Sequence, residues 1–255
     1  MIVFTYDKTF DGLLSCVFFA YEQKKFPDLI LSDSDQKPLF IDEQYHVNTE
    51  KEKSLRVWKA LEKKLSKIAQ NMMLSVWLSE LPEIEMLLFR YIRKNINHLK
   101  GIEMNFGDDD VLRIKEIAQK VVKEAEHLRQ FVRFQETADG IYFAPITARY
   151  NVLSLIIPHF KSRYANQSWI IYDTNRNIGL YYDKHSVTEV SFSQKDLSEL
   201  KLGKLSDEKL SEEEALFQKM WKEYFKSTTI KERINLKLQR QHMPQRYWKY
   251  LTEMQ

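Results

Sequence analysis

The stretch KERINLKLQRQHMPQRYWKYL, residues 231–251, combines the residue types that bind nucleic acid. It holds six Lys and Arg against one Glu, so it accounts for the positive excess of a chain whose formal net charge is +3. Lys and Arg neutralise phosphates, amides hydrogen-bond phosphates or base edges, and aromatic rings stack on exposed bases. The contacts predicted here are Arg233, Asn235, Lys237, Arg246, Tyr247 and Trp248.

The same segment is also compatible with a helix pair that is merely basic. In that interpretation its charges face water and its aromatic residues dock onto the core. Helical spacing places Ile234 and Leu238 on one stripe, which predicts that this stripe is buried. We therefore expect the aliphatic stripe to pack while the Arg, Lys and Asn side chains serve a site.

Two further segments place arginines beside aromatic residues. FVRF, residues 131–134, alternates, so a strand would put Phe131 and Arg133 on the same sheet face. An arginine there can stack with bases or pair with a carboxylate on a neighbouring strand. YDTNRNIGLYYD, residues 172–183, predicts a hairpin with Asp173 and Arg176 near its turn. Asp and Asn are common turn residues, so a purely structural role is the alternative.

Residues with a spacing suited to catalysis are scarce. Asp7 at the first strand-to-helix junction, His159 in PHFKSRY and Asp173 are the candidates for an acid–base centre. If they act together, we expect them to converge in one pocket with a raised carboxylate pKa. Helix capping, a structural histidine and a turn are the simpler explanations. No HExxH or GxSxG is present, so neither a metal site nor a hydrolase triad is predicted.

Composition excludes several other classes of protein. The chain contains no GxGxxG and no GxxxxGK[ST], which argues against Rossmann and P-loop nucleotide sites. Its single cysteine, Cys16, cannot form an intramolecular disulfide or a thiolate zinc cage. The N-terminus lacks a basic region followed by an apolar core, and no apolar window is long enough to span a bilayer. We predict a cytoplasmic protein without a cofactor.

Hydrophobic periodicity predicts the elements that position these residues. Residues 2–6 predict a strand and residues 10–22 a helix, followed by extended pieces near 28–33 and 39–47. Residues 50–129 show helical spacing throughout. Five short runs rich in Val, Ile, Tyr and Phe then follow between 131 and 193, with a helix between the second and third.

We therefore predict an α+β fold with a helical N-terminal half, a small, mostly antiparallel ββαβββ sheet and a basic helical C-terminus. Residues 1–129 would form a strand–helix unit with a helical region. Residues 130–255 would form the sheet with packed C-terminal helices. One continuous domain is the alternative.

The same stretches resemble a bacterial family of probable DNA metabolism proteins. The resemblance covers nearly the whole chain, from YDKTFDGLLSCVFFAYE (6–22) to WKEYFKSTTIKERINLKLQRQHMPQRYWKYLTE (221–253). The positions that carry it are Tyr6, Asp7, Phe10, Gly12, Phe131, Arg133, Phe134, Pro158, Phe160, Arg163, Trp169, Tyr172, Asp173, Arg176, Gly179, Arg233, Asn235, Lys237, Met243, Pro244, Tyr247 and Trp248. The chain departs from the family at Lys8, where Gly is usual. A Gly permits positive φ, so Lys argues against such a conformation here.

The resemblance also implies a biological setting. The part after about residue 80 resembles a domain of unknown function that some bacteria fuse to a uracil-DNA glycosylase. Stand-alone members are typically encoded beside a radical S-adenosylmethionine protein thought to modify or repair DNA. This implies a nucleic-acid-binding accessory protein that acts with such an enzyme on DNA. In that role Arg133, Arg163 and Arg176 are also expected to contact phosphates. An enzyme acting on a nucleotide or damaged base, and an interaction scaffold for the partner enzyme, are the alternative hypotheses.

Overall fold

A computed structural model describes residues 1–98, 101–192 and 209–255. The chain divides into two compact units, Met1–Val122 and Lys123–Gln255. Both contain helices and strands, which confirms the predicted α+β class. Within the described residues, no helix combines the length and the apolar character needed to cross a bilayer.

The first unit is built around a parallel sheet of three strands. Strand β1 (Ile2–Tyr6) lies between β2 (Leu29–Ser32) and β3 (Glu43–His46), and both neighbours run parallel to it. Helix α1 (Phe10–Gln23) follows β1, and the side chain of Thr9 caps it by accepting from the Gly12 N–H. Four of the five β1 residues are buried, as expected for a central strand covered on both faces.

Lys8 adopts φ +59°, so the expectation of an ordinary backbone at this position was wrong. The turn between β1 and α1 imposes the left-handed conformation, because the Asp7 carboxylate accepts from both the backbone N–H (3.0 Å) and the hydroxyl (2.7 Å) of Thr9. A Gly would adopt this conformation without strain, whereas the Cβ of Lys8 makes it costly.

The predicted helical region is present as four helices. They are α2 (Lys51–Lys64), α3 (Lys67–Trp77), α4 (Ile84–Asn97) and α5 (Asp109–Phe131). Asp108 caps α5 by accepting from the N–H groups of Asp110 and Val111.

The second unit contains the predicted ββαβββ sheet. Its strands are β4 (Gln135–Glu136), β5 (Tyr142–Ile146), β6 (Trp169–Asp173), β7 (Ile178–Tyr182) and β8 (Val187–Val190), arranged in chain order. Helix α6 (Leu153–Arg163) connects β5 to its parallel neighbour β6, and all the other pairs are antiparallel. Because β5 and β6 are parallel, their amino ends lie at the same end of the sheet and their carboxyl ends at the opposite end. The last predicted run ends at Ser193, which lies outside the described residues.

FVRF does not form a strand, so the shared sheet face predicted for Phe131 and Arg133 was wrong. Helix α5 continues to Phe131, and the Val132 N–H still donates to the Leu128 carbonyl at 3.0 Å. Four alternating residues are too few to distinguish a strand from a helix end, and here the buried Leu128 holds the segment in the helix. Arg133 consequently lies in the connection between α5 and β4.

The C-terminal segment is helical, as predicted, but its pieces are short. Helix α7 (Glu214–Thr228) is followed by α8 (Leu236–His242) and by 3₁₀ turns at Lys231–Arg233, Gln245–Tyr250 and Thr252–Met254. Ile234 and Leu238 are 56% and 51% exposed, so the predicted burial of this stripe was wrong. Ile234 precedes α8, because Asn235 is its N-cap, and the two side chains cannot share a helical face. The tail is anchored later, by the buried Tyr250 and Leu251.

Candidate nucleic-acid interface

A cavity of about 790 Å³ lies in the second unit at the amino ends of β5 and β6. Its lining comes from the end of α5, the connection to β4, the last turn of α6 and the first turns of α7. Among the lining residues are Arg133, His159 and Arg163, which the sequence singled out at separate places along the chain. A cavity of this size accommodates a small ligand such as a nucleotide.

Aromatic rings form one wall of the cavity. The Phe134 ring lies 5.6 Å from Phe160 and 5.3 Å from Tyr164 in edge-on geometry, and 6.5 Å from Trp169. The Phe160 and Tyr164 rings stack with an interplanar angle of 11°. Phe160 and Trp169 are buried, so this wall is part of the core and has a fixed position. Aromatic pairs of this kind contribute about 0.5–1.5 kcal/mol beyond the area that they bury.

Arg133 is held by a buried carboxylate from the end of the chain. Its guanidinium donates to Glu253 Oε1 at 2.7 Å, and the other oxygen of Glu253 accepts from Trp221 Nε1 at 2.9 Å. The Glu253 side chain is only 2% exposed. Burial alone would raise the pKa of Glu253, but the hydrogen bonds from Arg133 and Trp221 outweigh burial and hold the pKa below its usual range. Glu253 therefore fixes a cation and an indole ring side by side, with Arg133 lying 5.7 Å from the Trp221 ring.

The other basic residues of the lining differ in how they are held. Arg129 pairs with Glu126 and donates to the Leu155 carbonyl at 2.9 Å. Arg163 is exposed and lies 5.8 Å from the Tyr164 ring, and it forms no ion pair with any carboxylate in the described part of the chain. Its positive charge is therefore available to an anion that enters the cavity.

Two buried donors of the lining residues lack a partner. Among residues 1–98, 101–192 and 209–255, no hydrogen-bond acceptor reaches Trp169 Nε1 or Arg133 Nε. A buried donor without a partner costs about 1–3 kcal/mol. Both atoms are themselves buried, so their missing partners are a cost of packing and do not mark positions open to a ligand in the cavity.

The structure separates the proposed acid–base residues of the second unit. His159 lines the cavity together with Trp169, at the first residue of β6. Asp173 lies at the last residue of β6, and four strand residues span about 13 Å. Asp173 is fully buried and accepts from Arg176 at 2.8 Å, while Arg176 also donates to the Ala148 carbonyl at 3.1 Å. The prediction that His159 and Asp173 share one pocket was wrong. Asp173 and Arg176 instead stabilise the turn at the opposite end of the strands.

Asp7 belongs to the first unit and has a structural environment of its own. Its second oxygen accepts from the Thr49 hydroxyl at 2.8 Å, in addition to the two bonds from Thr9. Partial burial acts to raise the pKa of Asp7, but the hydrogen bonds from Thr9 and Thr49 outweigh it and lower the pKa. The raised carboxylate pKa that the enzyme hypothesis required is therefore absent at Asp7.

The structure places the basic tail residues in two settings. Arg233 and Lys237 are exposed. The side-chain oxygen Oδ1 of Asn235 caps α8 and accepts from the Leu238 N–H at 3.0 Å. Arg246 pairs with the buried Glu124 and donates to the Tyr247 hydroxyl at 2.9 Å.

The two tail aromatics predicted to stack on a base are also placed differently. Tyr247 is 2% exposed, which leaves no ring face open to a base. Trp248 is partly exposed, and its Nε1 donates to the Met243 carbonyl. Stacking on a base stays a prediction for Trp248.

Comparison with known proteins identifies the family. A family model described as a domain of unknown function, DUF4130, matches residues 82–253, which is more than half of the chain. The chain belongs to the DUF4130 family. The matched segment of this DUF4130 protein contains every residue that lines the cavity.

Two further comparisons add little to this assignment. No curated protein matches the DUF4130 chain. A solved structure described as the pGpG-specific phosphodiesterase PggH from Vibrio cholerae shares 12% identity, covering 90% of this chain and 100% of that chain, with a TM-score of 0.29. A likeness this weak supports no inference about fold or activity.

Several residues of the interface were not singled out from the sequence. Arg129 lies within a long amphipathic helix, Trp221 within what looks like a core stripe, and Glu253 near the chain terminus. The signal that pointed most closely to the cavity was the family resemblance, because Arg133, Phe134, Phe160, Arg163 and Trp169 all carry it and all line the cavity.

Proposed function

We propose that this DUF4130 protein binds DNA as an accessory factor in DNA repair or base modification. In this proposal it acts beside a radical S-adenosylmethionine enzyme or a DNA glycosylase, as the family resemblance implies. The observation that carries the proposal is the cavity of the second unit, where arginines border a wall of fixed aromatic rings.

The two kinds of side chain bind the two parts of a nucleotide. Arg163, which forms no ion pair among the described residues, offers its guanidinium to a phosphate, and such a contact supplies affinity without sequence information. The ring of Tyr164 and the indole of Trp221 offer faces to a base, because every base has a π-face and stacks on aromatic side chains. Arg133, whose charge is paired with Glu253, lies with its guanidinium next to Trp221.

The exposed tail adds contacts that are independent of base identity. Arg233 and Lys237 are exposed and form no ion pair among the described residues. When a cation that contacts a phosphate is removed, the plot of log K against log salt becomes less steep by about one. The double variant Arg233→Ala with Lys237→Ala should therefore reduce the steepness of the salt dependence by about two, while the cavity contacts remain.

Fluorescence anisotropy with labelled oligonucleotides across a salt series tests the proposal. Arg163→Ala removes a charge-assisted contact worth about 1.5–3 kcal/mol, so we expect the Kd to rise by about 10-fold or more. Arg149→Ala is the matched control, since Arg149 is an exposed arginine of the same unit that follows the carboxyl end of β5, away from the cavity. The proposal would be refuted if the unaltered protein did not bind the oligonucleotides, or if Arg163→Ala and Arg149→Ala raised the Kd equally.

The tail also supports a second candidate function, that of a scaffold for the partner enzyme. Ile230, Leu236 and Leu238 are each more than half exposed, within a segment that is also basic. Exposed aliphatic residues contribute little to binding phosphate, but they are common at protein interfaces. Co-purification with the radical enzyme in high salt and without nucleic acid, lost in Leu236→Asp, would support this role. Co-purification that persists in Leu236→Asp would exclude it for this surface.

A further inference from the structure

Helix α7 presents a row of three exposed aromatic side chains. Phe217, Trp221 and Tyr224 are 52%, 40% and 59% exposed, and their spacing of four and three residues places them on one helical face. At 1.5 Å rise per residue the row is about 10 Å long. A surface with three neighbouring exposed rings is unusual, because large aromatic side chains are normally buried when no ligand needs them.

The row begins in the cavity and leads out of it. Phe217 and Trp221 belong to the cavity lining, whereas Tyr224, one turn further along α7, does not. The Trp221 and Tyr224 rings lie 5.7 Å apart with an interplanar angle of 32°. The indole of Trp221 is also fixed by its hydrogen bond to Glu253. The aromatic row and the cavity thus form one continuous surface.

The chemistry of this surface favours unpaired bases over the other possible occupants. In a duplex the base faces are stacked inside the helix, and a base reaches a cavity only after it leaves the stack. Aromatic rings beside guanidinium groups are the combination that binds single strands through stacking and phosphate neutralisation. Arg163 has no ion pair in the described part of the chain and provides that positive charge at the cavity end of the row, where Arg133, paired with Glu253, lies next to Trp221.

We infer that the cavity and the aromatic row of α7 bind single-stranded nucleic acid. This inference rests on the proposed function and adds the strand state to it. One base enters the cavity between Tyr164 and Trp221, and the neighbouring bases stack along the row toward Tyr224. Stacked bases repeat at about 3.4 Å per strand, so a row of about 10 Å holds two to three bases.

The test measures anisotropy of a labelled single-stranded DNA 12-mer and of a blunt hairpin duplex containing the same sequence. We expect the single strand to bind at least about 10-fold more tightly than the duplex, because the duplex offers no unstacked base. Tyr224→Ala should raise the Kd for the single strand by about 5- to 150-fold, the range for loss of one stacked base, and Tyr224→Phe should retain binding. Both substitutions are at an exposed position, so the fold is preserved, which thermal unfolding verifies.

Met220→Ala is the matched control. Met220 lies on the same helix and is 56% exposed, but it has no ring to stack on a base. We expect Met220→Ala to change the Kd for the single strand by less than about twofold, because only a lost ring removes stacking. An equal loss in Tyr224→Ala and Met220→Ala would show that the row acts through apolar contact in general and not through ring stacking, and it would overturn the inference.

The outcomes separate this inference from the proposed function. The strand assignment is overturned if the duplex binds as tightly as the single strand, or if Tyr224→Ala binds the single strand normally. The DNA-binding proposal still stands in either case when Arg163→Ala weakens binding. If the unaltered protein binds neither oligonucleotide, both are overturned.

Discussion

Replacing Glu253 by Gln removes the negative charge that organises the interface. Glu253 is 2% exposed and accepts from Arg133 at 2.7 Å and from Trp221 at 2.9 Å. Removing one partner of a fully buried ion pair costs about 3–5 kcal/mol. The Arg133 side chain remains 26% exposed, and Gln keeps an oxygen that can accept one of the two bonds. We therefore expect Glu253→Gln to lower the free energy of unfolding by about 2 kcal/mol.

Urea unfolding followed by tryptophan fluorescence measures this loss. Glu223→Gln is the control, because Glu223 is exposed on α7 and such surface changes stay within about 0.5 kcal/mol. Since the pKa of Glu253 is held below its usual range in the folded protein, its stabilising effect is complete above the unfolded pKa of about 4.3. It is lost as the pH falls through the lower, folded pKa. The arrangement would be refuted if Glu253→Gln and the unaltered protein had the same free energy of unfolding at pH 7. It would also be refuted if the difference between their free energies of unfolding grew as the pH falls.

Three further predictions concern the first unit. The Tyr6 hydroxyl is buried without a hydrogen-bond partner in the described part of the chain. Tyr6→Phe should therefore leave the free energy of unfolding unchanged or raise it by up to about 1 kcal/mol, as measured by thermal unfolding. A loss of about 2 kcal/mol would contradict this. Lys8 has φ +59°, so Lys8→Val should destabilise by about 1–2 kcal/mol while Lys8→Gly does not, and equal melting temperatures for the two would argue against the strained turn. Burial raises the pKa of Cys16 to about 12, so its thiol should react with a disulfide reagent at pH 8 only after unfolding, and fast labelling of the native protein would show the thiol to be accessible.

The second sheet was predictable because its signal is local. Short runs of β-branched and aromatic residues between Gly, Asn and Asp turns predict strands directly, and the helical stretch around Ile156 predicts the helix between the second and third runs. The parallel sheet of the first unit was not predictable in the same way. Its strands β2 and β3 are four residues each, and their pairing with β1 depends on contacts far apart in sequence.

The interface was only partly predictable for a related reason. Arg133 stands beside aromatic residues in the sequence, which suggested binding, and the family resemblance added Arg163. The partner of Arg133 is Glu253, which is 120 residues away, and no local pattern connects them. Trp221 looks like a core residue, because helical spacing shows which residues share a face but not whether that face is covered. The exposure of Ile234 and Leu238 has a different origin, because the helix begins only after Asn235 and the two side chains do not share a helical face.

Photochemical crosslinking tests the central claim, that the cavity of the second unit holds a base, most directly. A single-stranded oligonucleotide with one photoreactive 5-iododeoxyuridine is irradiated with the full-length protein, and the attached residue is identified by mass spectrometry. We predict attachment at Trp221 or Tyr164, whose rings border the cavity, and its loss in Arg163→Ala. Attachment confined to Trp248 or to the first unit would contradict the account.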